Sequence, residues 1–212
     1  MFLLGVAFGV LTAVDPLCAS DAARPEPKFL GGKPDQQEGA AILEGFRNVG
    51  VQGDYWLKFE LRVMPHRGAE RVIEGQMFGA PGPDGPFTRI VTRAPQSEGD
   101  NSEHYLLHGG AGPRAWRWKA GLAEAQHVTA DDWLAPVQET DLTLFDLQMP
   151  FLRWKDFVYE GIANVRGRPA HAFILYPPAP PRAPTGGETP VPAAIRVFLD
   201  TQFNAMTQAE WL

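Results

Sequence analysis

The chain has 212 residues, 44% of them hydrophobic and 21% charged, with 22 glycines and 20 prolines. Those fractions are globular, so neither a disordered chain nor a coiled coil fits, and the length is that of one domain with a full core. A net charge of −6 without a concentrated basic run removes nucleic-acid binding.

The first fourteen residues, "MFLLGVAFGVLTAV", are apolar and uncharged, and "CAS" at 18–20 places small residues before a cleavage point. This reads as a signal peptide over residues 1–20, cut before Asp21. The run is too short to cross a bilayer, which needs about 20 apolar residues. The basic residue that ordinarily precedes such a run is missing, and a start codon further upstream would supply it. Cys18 is the only cysteine; Leu17 in front of it is a poor neighbour for lipid attachment, so simple cleavage is the expectation. The exported chain then has no thiol and no disulfide.

Residues 21–34 have no periodicity and read as an arm laid on the surface. "DQQE" at 35–38 has the spacing of a capping box, Asp35 and Glu38 satisfying first-turn amides, so a helix is expected from there to about Asn48–Gly50. "YWLKFELRV" at 55–63 alternates: Tyr55, Leu57, Phe59, Leu61 and Val63 share one face, and Trp56, Lys58, Glu60 and Arg62 the other. Further strands are expected at 71–79 and 87–93, joined by the turn "APGPDGP", then at "HYLLHGG" and "AWRWK" beyond a polar loop at 94–103, and over 122–128. "TADDWL" opens like a short helix capped by Thr129. "TDLTLFDLQMPFLRW" at 140–154 is acid-marked, then densely apolar. Thr143 and Asp146 form a second capping box, and Pro150 ends the helix it starts. "KDFVYEGIA" and "RPAHAFILYPP" form a hairpin around "NVRG". A Pro/Gly-rich connection at 178–192 precedes the last pair, "AIRVFLD" and "NAMTQAEWL". Nine or ten strands and two or three helices result, an α+β fold with helices on one face of a strongly curved antiparallel sheet.

No constellation carries chemistry. Ser20, Ser97 and Ser102 are the only serines, and none sits in a nucleophile elbow. Glu103, His104 and His108 are a conceivable metal set, but solvent-facing strand histidines are the simpler reading, so no metal or other cofactor is expected. Asp141 with Asp146, or Asp131 with Asp132, could pair as acid and base, yet capping accounts for them better. Trp116 and Trp118 alternate with Arg117 and Lys119 as sheet packing would have it, stacking on a sugar or headgroup being the sharper alternative. A curved sheet rich in bulky side chains, with helices too short to fill it, instead leaves a ligand cavity.

Thr143-x-x-Asp146-Leu147, "MPFLRW", the hairpin "YEGIANVRGRPAHAFILYPP" and "AIRVFLD" with "AMTQAEW" together resemble the C-terminal half of LolA-like outer-membrane lipoprotein-sorting proteins. The resemblance covers residues 35–212 and implies an eleven-stranded half-barrel closed by helices, a periplasmic non-enzymatic carrier whose apolar cavity takes the acyl chains of a lipoprotein or another lipid. It also implies an inner-membrane release complex as partner, only transient membrane contact, and no catalytic residue. Tyr55, Leu57, Phe59, Leu61, Met77, Met149, Phe151, Leu152 and Trp154 are expected to line the cavity. The arginine important in these carriers matches either Arg47 or Arg62. Relatives carry one or two strands beyond "AEW", so residues 204–212 are expected to end at an open edge. The alternative is an envelope-stress sensor using the same half-barrel, as in sigma-factor control proteins.

Overall fold

The structure, a computed structural model, describes residues 24–49, 53–65, 67–93, 101–110, 112–129, 131–178 and 192–212. The expected leader at 1–20 with Cys18 and Ser20, the loop serine Ser97, and most of the Pro/Gly-rich connection lie outside the described residues. Among those residues, ten strands form two unclosed antiparallel sheets. β1 (Tyr55–Val63), β2 (Arg71–Ala80), β3 (Phe87–Arg93), β4 (Glu103–His108), β5 (Arg114–Lys119) and β6 (Gln126–His127) make a six-stranded meander in chain order. β7 (Asp156–Val165), β8 (Arg168–Tyr176), β9 (Ile195–Asp200) and β10 (Met206–Trp211) make a four-stranded sheet ordered β10-β9-β8-β7. Helix α1 (Gln36–Asn48) lies on β7. Between the sheets come α2 (Leu144–Gln148) and 3₁₀ turns at Asp131–Leu134 and Pro150–Arg153. This is the expected α+β half-barrel of curved antiparallel sheet with few helices. The expected strand over 122–128 contracts to Gln126–His127.

Alternation made β1 legible, and its register confirms the faces. Tyr55, Leu57, Phe59, Leu61 and Val63 pair with Gly79, Met77, Gly75, Ile73 and Arg71 on the inner side, and Trp56 pairs with Phe78 on the outer side. A Cβ at Gly75 or Gly79 would fall inside the Phe59 or Tyr55 ring. The two rings therefore lie flat across β2, each on a glycine, which pins the register of this edge hairpin.

α1 starts where Asp35 accepts hydrogen bonds from the amides of Gln37 and Glu38 at 2.8 and 3.4 Å. Its first residue also docks it. Gln36 Nε2 donates to the Tyr159 carbonyl and Gln36 Oε1 accepts from the Tyr159 amide, both at 2.9 Å. Gly39 then lets helix and strand close, since a Cβ there would enter the Tyr159 side chain. The arm extends this cover along the edge strand β7. The Leu30 amide donates to the Glu160 carbonyl at 2.8 Å, Arg24 pairs with Asp156 at 2.9 Å, and the Arg24 guanidinium stacks 3.5 Å from the Tyr176 ring centre.

Two cores result, and the acid-marked stretch joins them. One holds Leu43, Phe145, Phe151, Tyr159, Phe173, Leu175, Ile195, Val197 and Leu199 between α1 and the four-stranded sheet. The other holds Ile90, Tyr105, Leu107, Ala115, Val128, Val137 and Leu144 on the inner face of the six-stranded sheet. Leu144 and Phe145, neighbours on α2, enter different cores. With about 1.5 to 3 kcal/mol for each fully buried large side chain, this one-turn helix ties the halves together. Its cap is the expected box: the Thr143 amide donates to Asp146 Oδ2 at 2.9 Å, and the Asp146 amide donates to Thr143 Oγ1 at 3.2 Å. Met149 closes the helix in the left-handed region at φ 47°, and Pro150 starts the following turn.

Candidate functional site

The nine residues expected to line a cavity fall into two sets. Tyr55, Leu57, Phe59, Leu61 and Met77 lie together on the inner face of β1 and β2, with Phe59 and Met77 packed against the second core. Met149, Leu152 and Trp154 pack against the first core instead, and Phe151, 2% exposed, belongs to it. Phe151 thus presents no surface to a ligand. Leu57 points inward between the two flattened rings, yet remains 41% exposed.

From that row the inner face opens into two adjoining hollows. The first, about 520 Å³, is lined on one side by Leu61, Val63, Met64, Pro65 and Ala69 of the β1–β2 hairpin, and on the other by Glu139–Leu142. The second, about 920 Å³, is polar, with Asn101, Ser102, Glu103, Lys119 and Gln138 around it. Arg71 and residues 139–141 border both.

Arg71 sits at that boundary because β2 begins there. Its Nη2 donates to the Gln138 and Glu139 carbonyls at 2.9 and 2.5 Å, and Nη1 lies 3.3 Å from Glu139 Oε2. Gln138 and Glu139 are both left-handed, at φ 51° and 56°, a conformation unfavourable for side-chain-bearing residues, and the bound arginine holds them there. On the polar side Glu103 is buried, paired with Lys119 Nζ at 2.5 Å and accepting a hydrogen bond from the Tyr105 hydroxyl. Burial first, then that bond to Glu103, raises the Tyr105 pKa far above its ordinary value, so the phenol stays protonated.

Of the two arginines considered from the sequence, Arg47 is the anchored one. From the last turn of α1, Nε donates to the Leu152 carbonyl at 2.5 Å and Nη2 to the Trp154 carbonyl at 2.6 Å, which fixes the turn after Pro150. Burial lowers its pKa, opposed by nearby Glu44. Arg62 is on the outer face, beside Glu60 at 3.8 Å. Arg71 was not singled out in the sequence, because its partners lie 67 and 68 residues away.

The other candidate groups separate. Glu103 faces inward, while His104 and His108 lie on the opposite face with Trp118 and Phe87, so these three cannot converge on one ion; His108, expected to face solvent, is instead buried at 4% exposure beneath the Phe87 ring. Among the described residues no three His, Cys, Asp or Glu side chains gather as a metal set. Asp146 is spent on the cap, Asp132 accepts from Thr129 Oγ1 at 2.8 Å, and Asp141 borders the two hollows. Trp116 and Trp118 are on the outer face, where Trp118 Nε1 donates to the Leu122 carbonyl at 2.8 Å.

No protein-family model and no curated protein matches the sequence. Solved structures do match. A DUF1329 family protein from Desulfovibrio piger superposes with a TM-score of 0.66 at 14% identity, covering 85% of this chain and 74% of that one. An outer membrane lipoprotein-sorting protein domain from Vibrio parahaemolyticus superposes with a TM-score of 0.61 at 12% identity, covering 82% and 70%. At such identities the likeness speaks for architecture alone: this chain shares its fold with a DUF1329 family protein and with an outer membrane lipoprotein-sorting protein domain.

Proposed function

We propose that the chain is an exported carrier working between the two membranes of the envelope, which holds the acyl chains of a lipoprotein, or of another lipid, against the inner face of its six-stranded sheet. The observation that carries this reading is the unfinished burial along β1. Leu57 points inward but is 41% exposed, and the row continues through Leu61 and Val63 to Met64, 77% exposed, at a hollow of about 520 Å³. An apolar face left open in this way gains about 25 cal/mol for each Å² that a ligand covers. The polar hollow beyond Arg71, walled by Asn101, Gln138 and the Glu103–Lys119 pair, suits a polar end. Loading consists of apolar burial with no bond made or broken. The fold shared with a lipoprotein-sorting domain supports the same reading.

The test is recovery of the cargo. Protein isolated from the envelope fraction of its own host is extracted with organic solvent, and the extract is analysed by mass spectrometry. A stoichiometric acylated species, lost when Leu57 and Leu61 are replaced by serine, is the expected result. A lipid-free protein retained in the cytoplasm contradicts it.

A further inference from the structure

The outer face of the six-stranded sheet carries a second set of large apolar side chains, on residues the carrier reading does not use. Register sets Trp56, Phe78, Arg89, Leu106, Trp116 and His127 side by side, one from each strand in order. With strands about 4.8 Å apart, the row runs about 24 Å. Trp56, Phe78 and Leu106 are 57%, 37% and 41% exposed, and together with Phe87 they border a shallow depression of about 550 Å³. An exposed row of large apolar side chains interleaved with cations marks an interaction surface.

Charge identifies the partner. Among the described residues Lys58, Arg62, Arg89, Arg93 and Arg114 outnumber the carboxylates of this face, Glu60 and Glu74 on the strands and Asp54 at the rim of the depression, on a chain whose net charge is −6. Cations also accompany the rings: Lys58 Nζ lies 5.4 Å from the Trp56 ring centre, the Arg89 guanidinium 5.9 Å from Phe78, and that of Arg114 6.0 Å from Trp116. Tryptophan and phenylalanine interleaved with arginine and lysine match the headgroup level of a bilayer, where rings enter the boundary and cations meet phosphates. Each basic side chain near an anionic surface multiplies binding by about fivefold. We propose that this outer face docks on an anionic lipid bilayer, with Trp56, Phe78 and Leu106 at the boundary and Lys58, Arg89 and Arg114 on the phosphates.

The test is sedimentation of the full chain with vesicles of phosphatidylcholine, with and without phosphatidylglycerol. Binding to the anionic vesicles, released by salt, is expected. It should weaken by about tenfold or more in Lys58→Glu/Arg89→Glu and in Trp56→Ser/Phe78→Ser. Leu57→Ala, on the inner face, should sediment like the wild type, and the outer-face variants should keep their acyl-probe binding, so docking and carriage can fail separately. The charge variant replaces exposed side chains only and stays informative if the aromatic variant folds poorly. No sedimentation, equal binding to pure phosphatidylcholine, or full binding by the charge variant overturns the proposal. Retention on polyglutamate without vesicle binding also overturns it, in favour of an acidic protein partner.

Discussion

Replacing Glu160 by alanine should destabilise the protein far more than a typical surface charge change. Glu160 is 1% exposed at the bulge of β7, where its carboxylate accepts from the Lys28 amide at 2.6 Å and from Arg196 Nε and Nη2 at 2.7 and 3.0 Å. Without it the Arg196 guanidinium, 7% exposed, keeps among the described residues only Glu210 at 3.5 Å. Removing one member of a buried pair costs about 3 to 5 kcal/mol, and the residual partner argues for the lower end. At about 2 to 4 °C per kcal/mol for a chain of this size, melting should fall by about 6 to 12 °C. The double variant Glu160→Leu/Arg196→Met leaves no orphaned charge and should recover most of that loss, although the Lys28 amide still lacks its acceptor. Urea titrations of the wild type, Glu160→Ala, Glu160→Leu, Arg196→Met and the double variant supply the measurement, the Glu160→Leu and Arg196→Met singles closing the cycle. Single losses below about 1 kcal/mol, or a double loss equal to the sum of the singles, would refute the reasoning.

Three further outcomes follow. Gly39→Ala should lose about 1 to 3 kcal/mol by pushing α1 off Tyr159, whereas Gly45→Ala on the same helix meets open space and should gain about 0.5 to 1 kcal/mol; equal effects in chemical denaturation would show that the tight approach is unimportant. Asp200 is held well below the usual carboxylate range, first by Arg168 and then by the Gln202 and Phe203 amides. Its stabilisation is therefore complete above the unfolded-state value of about 4 and drains away as pH falls toward the folded one, so Asp200→Asn should flatten the acid limb of the stability profile, and an unchanged limb would contradict this. Arg71→Leu should speed amide exchange in residues 138–142 while Glu139→Gln changes little, because that carboxylate is 90% exposed; equal acceleration by both would place the hold in the ion pair rather than in the carbonyl hydrogen bonds.

What was legible in the sequence is what a pleat or a cap encodes locally. The alternation of residues 55–63 marked both the bounds and the faces of β1, and Thr143 with Asp146 marked α2. At Asp35 the spacing was read as a two-way box, but among the described residues only one half forms: Asp35 accepts from the Gln37 and Glu38 amides, and Glu38 makes no return bond to the Asp35 amide. Long-range pairing was not legible. Gln36 looks like an ordinary first-turn residue but clamps the Tyr159 backbone 123 residues away. Glu160 and Arg196 stand in separate apolar strands, and only the β7 bulge brings the carboxylate across to β9. The expected lining divided for a similar reason: residues 149–154 are as apolar as β1, but Arg47 draws their backbone toward α1 and the first core. Periodicity reports which side of an element is apolar, and the tertiary partners decide whether protein or ligand covers it.

The central claim is that the inner face of β1 is a ligand surface, and titration of a fluorescent acyl-chain probe tests it most directly. Wild type, Leu57→Ala and Leu61→Arg are titrated in parallel and melted under the same conditions. In a closed core the alanine change would cost about 2 to 5 kcal/mol, and the arginine change would bury an unpaired charge. On an open face the arginine stem can carry its head to water, and the partly exposed Leu57 gives up little packing. Saturable binding by the wild type, weakened in both variants with melting almost unchanged, is the predicted result. No binding by the wild type, with melting collapsed in both variants, would contradict the account and make this face ordinary core.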